Sequence, residues 1–268
     1  MARDEDHEDL PQRMVRTRDS DWQQTRTFFS SLAELRDAPR PIRLASGTKG
    51  PALVCVTAAV GQSDPLQYSR LAKPFQGERD VWALRQPGFR GDEALPETRD
   101  LLLDMHAASL RAELGDRPFV LTGLSSGGVV AHLLAQRLAE QGNPPAGVVV
   151  LDSYVPSEYD RLARLLPGLG EEMRHRLDDP DYALPSNDDW VTATLHYQSF
   201  DWTPTYLPIP VLFVRAGDPL EDWPPDWEPV WPFEHTAAVT RGNHFTMLEE
   251  HAPHTAALVN DWMRGTFD

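Results

Sequence analysis

Gly123-Leu124-Ser125-Ser126-Gly127-Gly128 decides the fold of this chain. An apolar run, Pro118-Phe119-Val120-Leu121-Thr122, leads into it, and a helix-like run from Val129 to Gln141 leads out. A strand, a G-x-S-x-G turn and a helix, in that order, make a nucleophile elbow. The turn is tight enough that side chains at its flanks would strike the neighbouring strand and helix. Glycine at both flanks removes the collision. The Ser125 hydroxyl is then held clear of the sheet. The helix start behind it offers unpaired N–H groups to a developing negative charge.

The pattern repeats on both sides of the elbow. Apolar runs read as strands at Ala52–Val56, Val81–Leu84, Phe119–Thr122, Gly147–Leu151 and Val211–Ala216, with a weaker one at Ala237–Thr240. Helical patterns lie among them at Asp64–Phe75, Thr98–Leu114, Gly127–Gln141 and Glu250–Met263. Continuous apolar strands alternating with helices predict a mainly parallel sheet covered on both faces. With the elbow, this is the α/β-hydrolase fold, spanning residues 41–268. Residues 156–207 break the rhythm and carry no strand signal. Ser157–Leu166, Glu171–Leu177 and Asp189–Tyr197 read as helices there, placed where this fold inserts a lid. Pro219 to Pro232 holds three tryptophans among prolines and acids and reads as a long ordered loop. Residues 1–20 are charged and aperiodic and read as a linker. Asp21 to Arg36 is expected to be a helix, with Trp22, Phe28, Phe29, Leu32 and Leu35 apolar. Residues 1–40 thus form a linker and helical segment ahead of the core.

Composition narrows the function classes. A chain of 268 residues, 41% hydrophobic, is long enough for one sizeable domain with an insertion. A net charge of −16 argues against nucleic acid and anionic membrane as partners. Cys55 is the sole cysteine, so there is no disulfide framework and no cysteine-based metal site. The polar, acidic N-terminus is not a signal peptide, and no stretch approaches a transmembrane length. The expectation is a cytoplasmic protein without a bound metal or cofactor.

A serine hydroxyl needs a general base, and the base needs an acid to orient it. In this fold the chain order is Ser, then Asp or Glu, then His. His244, in Arg241-Gly242-Asn243-His244-Phe245-Thr246-Met247, follows the last strand and precedes the last helix, where the base belongs. The other histidines lie within helices, in the lid, before a strand or in the polar lead. His251 and His254 sit one turn apart, but no third metal ligand accompanies them. Two residues compete for the acid. Asp152 ends the strand Val148-Val149-Val150-Leu151, and Asp218 follows the strand Val211–Ala216. Asp218 holds the commoner place in α/β-hydrolases, and either could instead end a turn. An oxyanion needs two backbone N–H groups. Ser126, after the nucleophile, offers one. The second is expected from Thr57-Ala58-Ala59-Val60-Gly61, at Ala59 with Ala58 close behind.

Together these residues resemble the terminal thioesterase domain of modular type I polyketide synthases. The resemblance runs from about Pro41 to the C-terminus. It rests on Pro51-Ala52-Leu53-Val54-Cys55, Arg85-Gln86-Pro87-Gly88-Phe89, Pro144-Pro145-Ala146 through Asp152, Trp231-Pro232-Phe233-Glu234-His235, and Gly242-Asn243-His244-Phe245-Thr246-Met247. It implies Asp152 as the triad acid, with an acyl-enzyme on Ser125. It implies a lid with a substrate channel, Tyr154 near the channel mouth, and an N-terminal helical segment that forms a homodimer. The implied partner is an acyl carrier protein that presents a polyketide chain on phosphopantetheine. Release would be to water, the acceptor favoured because it is always available, or to a hydroxyl of the chain itself as a macrolactone. The family often carries His before the nucleophile, where this chain has Leu124. Three other readings share the fold: a free-standing type II editing thioesterase, a general carboxylesterase, and a non-catalytic binding module.

Overall fold

The computed structural model describes residues 22–35, 39–60, 64–90, 93–178 and 188–268. Nine strands are described: β1 (Phe28–Phe29), β2 (Ile42–Ala45), β3 (Ala52–Val56), β4 (Val81–Leu84), β5 (Leu95–Pro96), β6 (Phe119–Leu124), β7 (Gly147–Leu151), β8 (Val211–Arg215) and β9 (Thr236–Val239). The helices are α1 (Ser69–Ala72), α2 (Arg99–Leu114), α3 (Ser126–Glu140), α4 (Tyr159–Asp178), α5 (Asp188–Gln198) and α6 (Ala252–Phe267).

Seven strands form one sheet in the order β2-β4-β3-β6-β7-β8-β9. All neighbours pair parallel except β2 and β4. The apolar strands explain this. Residues in β3, β6 and β7 are buried on both faces, so the sheet needs helices on both sides. The two-residue period sorts the side chains. Val54, Leu121, Val148 and Val150 meet α2 and α3 on one face. Leu53, Cys55, Val120, Val149 and Leu151 meet α1 and α6 on the other. No described helix is long and apolar enough to cross a membrane.

The N-terminal segment differs from its expectation. Across 22–35 the chain is two 3₁₀ turns flanking β1, not a helix. Apolar residues at 28, 29, 32 and 35 fit a helical stripe, but pairing across the fold overrides it. Phe28 and Phe29 pair with Leu95 and Pro96 of β5. Phe29 is 2% exposed and joins a cluster with Leu95, Leu102, Met105 and Tyr197, against which Phe28 and Leu35 pack. Of the apolar face expected to meet a second copy, Leu32 stays accessible among the described side chains. Residues 1–21 and the side chain of Trp22 lie outside the described residues.

The insertion between β7 and β8 is helical, with one correction. The two helices expected at Ser157–Leu166 and Glu171–Leu177 are a single helix, α4, running through Pro167. Packing carries it past the breakers: a Cβ on Gly168 would stand 2.9 Å from Trp223 Nε1, so the bare glycine seats the helix on the tryptophan loop. Helix α5 is tied down separately. Trp190 Nε1 donates to Phe89 O at 3.0 Å, and Tyr197 Oη donates to Pro87 O at 2.8 Å.

Candidate active site

Ser125 caps α3 with φ 57° and ψ −133°, a region that side-chain-bearing residues rarely occupy. The strain is held by close packing around the turn. A Cβ on Gly123 would fall 2.2 Å from the Gly127 carbonyl oxygen, and one on Gly127 would fall 2.6 Å from Val56 O. Both approaches are far inside van der Waals contact, which is why G-x-S-x-G needs its glycines here. The Ser125 amide donates to Leu151 O at 2.9 Å, anchoring the turn to the end of β7.

One residue beyond that anchor, Asp152 is fully buried with φ 41°. Its Oδ1 accepts from the Ala216 amide at 2.8 Å. Its Oδ2 is 2.7 Å from His244 Nδ1. This pair fixes the imidazole with Nδ1–H toward the acid, leaving Nε2 as the basic nitrogen. His244 is 4% exposed. It stands in a loop shaped by Asn243, whose Oδ1 accepts from the amides of Phe245 and Thr246 at 3.1 and 3.0 Å. Among the described residues His244 is bonded to Asp152 and not to Ser125. In unliganded sites this second contact is often long and tightens when substrate binds.

Asp218 has a different job. It is exposed, and its Oδ2 accepts from the Gly242 amide at 3.1 Å while its own amide donates to Gly242 O at 3.0 Å. It closes the base of the histidine loop without touching the imidazole.

Ser126 begins α3, so its amide lies at the helix N-terminus. The loop carrying Ala58 and Ala59 packs against the same turn, since a Cβ on Gly127 would come within 3.0 Å of Ala58 N. Ala58 and Ala59 are 7% and 6% exposed. Tyr154 is buried, and its hydroxyl donates to Trp227 O, joining the end of β7 to the tryptophan loop. Trp227 and Trp231 are themselves buried in that loop.

Three buried groups, Gln86, His106 and Tyr68, make contacts that the sequence reading does not assign. Gln86 Nε2 donates to Thr57 O at 2.7 Å, and His106 Nε2 is 2.8 Å from Gln86 Oε1. Because the Gln86 amine is already spent on a carbonyl, His106 must donate from Nε2. Burial, with the nearby Arg85 charge, lowers the His106 pKa to about 4. Tyr68 is also fully buried, and its hydroxyl reaches the elbow itself. A tyrosine in a short helical run gives no local signal for so distant a contact.

Comparison with known proteins places these features in a family. Residues 51–263 match the family described as the thioesterase domain. The chain is 39% identical over 246 residues to polyketide synthase GfsE of Streptomyces halstedii, covering 89% of this chain and 6% of the synthase. It is 36% identical over 269 residues to the spectinabilin polyketide synthase system protein NorC of Streptomyces orinoci, covering 99% of this chain and 11% of that protein. The chain therefore spans about a tenth or less of these relatives' lengths. Among solved structures, the Vlm2 thioesterase domain superposes with a TM-score of 0.62 at 23% identity, covering 83% of this chain and 96% of that one. That likeness bears on the fold.

Proposed function

The chain belongs to the thioesterase-domain family, and we propose on that premise that it releases a polyketide from an acyl carrier protein by way of an acyl-enzyme on Ser125. The observation that carries the reading is the buried 2.7 Å contact between His244 Nδ1 and Asp152 Oδ2 behind a strained serine elbow.

In this reading the Ser125 hydroxyl attacks the thioester carbonyl carbon while His244 Nε2 takes its proton. The oxyanion that forms is received by the Ser126 amide and by an amide of the Ala58–Ala59 loop, Ala59 being the assigned donor. Collapse breaks the C–S bond. The phosphopantetheine thiolate leaves and accepts the proton from His244. An acceptor oxygen, from water or from a hydroxyl of the bound chain, then gives its proton to His244 and attacks the ester; the bond from the acyl carbon to Ser125 Oγ breaks and His244 returns the proton to Oγ, restoring Ser125. Asp152 holds the imidazole in the tautomer that each step needs. Helices α4 and α5 would form the lid, and the Tyr154 ring would wall the acyl channel near its mouth. No cofactor enters these steps.

Polyketide synthases among the relatives favour a carrier-bound polyketide over a general ester. The test uses a soluble thioester of a full-length linear polyketide, with linear acid and lactone separated afterwards. Either product, together with fluorophosphonate labelling at Ser125, supports the reading. A folded protein that releases neither and is not labelled refutes it.

A further inference from the structure

Catalysis of this kind needs two parts of the chain held at a fixed spacing: the serine on its elbow, and the loop whose amide receives the oxyanion. They come from different strands. Ser125 follows β6, and the Thr57–Ala59 loop follows β3. The two strands pair from Ala52–Phe119 to Cys55–Thr122, and there the pairing ends as the elbow turns away. The spacing matters most just where the ladder stops supporting it.

One side chain bridges the gap. Tyr68, 0% exposed, donates its hydroxyl to Val56 O at 2.9 Å and accepts from the Leu124 amide at 3.0 Å. Val56 is the last residue before the oxyanion loop, and Leu124 is the residue before Ser125. The hydroxyl thus takes the place of the next rung between β3 and β6. The same carbonyl is the one against which Gly127 is packed, at 2.6 Å from its would-be Cβ. A hydrogen bond on one side and a bare Cα on the other fix the Val56 carbonyl between Tyr68 and α3. Burial pushes the phenol pKa well up, so the hydroxyl keeps the proton it donates. The ring lies in the same buried cluster as Leu71 and Phe75. The 3₁₀ turn that carries it is capped by Asp64, whose side chain accepts from the Leu66 amide at 2.9 Å.

We propose that Tyr68 is a positioning residue for acyl transfer: its hydroxyl sets the distance between Ser125 and the amide of the Ala58–Ala59 loop. The inference rests on the proposed role of Ser125. Tyr68 touches neither substrate nor the reacting atoms, and it acts through the backbone on either side of it. A purely structural tyrosine would affect stability alone. A positioning one affects the rate of the chemical step at fixed binding.

The test compares the wild type with Tyr68→Phe, which keeps the ring and removes the hydroxyl. The probes are hexanoyl N-acetylcysteamine thioester and a fluorophosphonate, each assayed well below the variant's melting temperature. Misplacing an oxyanion donor by a fraction of an ångström to an ångström costs about 10- to 100-fold in rate. The expected result is a fall in kcat of that size, KM within about twofold, and a parallel fall in the labelling rate. Unchanged kcat and labelling, or a raised KM at unchanged kcat, overturns the inference. If Tyr68→Phe does not fold, Tyr68→p-aminophenylalanine carries the test. Its amine still donates to Val56 O but accepts poorly from Leu124, so a several-fold fall in kcat is expected, and wild-type kcat overturns the proposal. A wild type that is folded yet unlabelled at Ser125 refutes the functional reading itself. A labelled wild type with an unaffected variant refutes the inference alone.

Discussion

Asp152 and Asp218 follow neighbouring strands, and their hydrogen bonds tell them apart. Asp152 holds His244 from a fully buried position, whereas Asp218 holds the backbone at Gly242 from an exposed one. Asp152→Asn should therefore lower kcat by about 10⁴, the cost of presenting the wrong histidine tautomer. Asp218→Asn should cost less than about tenfold, since an amide oxygen can still accept from Gly242. Steady-state kinetics of the two purified variants checks the ranking, and the reverse ranking would move the acid to Asp218. As candidates, the serine and the histidine are legible in the sequence because each sits in a local pattern, a G-x-S-x-G turn and a glycine loop before the last helix. The acid was open between two strand ends until family likeness favoured Asp152. The contacts of Tyr68, and the role of Gln86 within the stretch that carries the family resemblance, are not legible in the sequence. Their partners lie far away in the chain, and no spacing rule encodes a single buried hydroxyl or amide.

At the scale of elements, the central strands were read well because a strand buried on both faces is a continuous apolar run. The N-terminal segment departs from its sequence expectation because its apolar spacing fits a helix, while its actual partner, Leu95–Pro96, is about 67 residues away in sequence. Helix α4 reads as two in the sequence because Pro167 and the glycines that follow it, Gly168 and Gly170, look like a break, and the packing of Gly168 on Trp223 has no sequence signature. The observed packing changes what a truncation should do. Phe29 belongs to the core of the catalytic domain, and Arg26 donates to Gly88 O at 2.7 Å. Phe29→Ala should destabilise the fold by about 3 kcal/mol through lost burial and the cavity left behind. Chemical denaturation reads this directly, and an unchanged midpoint would mean that the segment is dispensable. Gly123→Ala should be costlier for activity than for its size, because its Cβ meets backbone at 2.2 Å. An overpacked elbow costs about 1–3 kcal/mol and displaces Ser125. Near-wild-type stability and turnover in that variant would contradict the close approach.

For the whole molecule, the buried histidines set an acid limit. Burial lowers the pKa of His106, His132 and His196, in the case of His106 from 6.5 to about 4. Between those two values the unfolded chain binds a proton that the folded one refuses. Stability is therefore full above about pH 6.5 and falls as pH drops toward 4. At about 1.4 kcal/mol per pH unit, His106 alone costs on the order of 3 kcal/mol across that window. His106→Gln, which cannot take up the proton, should lose less stability between pH 7 and 5 than the wild type does. Equal losses would place the acid sensitivity elsewhere. The sheet order that brings β6, β7, β8 and β9 side by side also gathers their following loops at one edge, where Asp152 meets His244 from 92 residues away and the Ser125 amide is tied to the end of β7. The most direct measurement of that convergence is intact-protein mass spectrometry with peptide mapping after brief mixing with a carrier-bound polyketide thioester. The expected result is the mass of one acyl group, mapped to the peptide holding Ser125, absent in Ser125→Ala, whose turnover falls by about 10⁶. Turnover by folded Ser125→Ala, or an acyl group mapped to any other residue, would contradict the account.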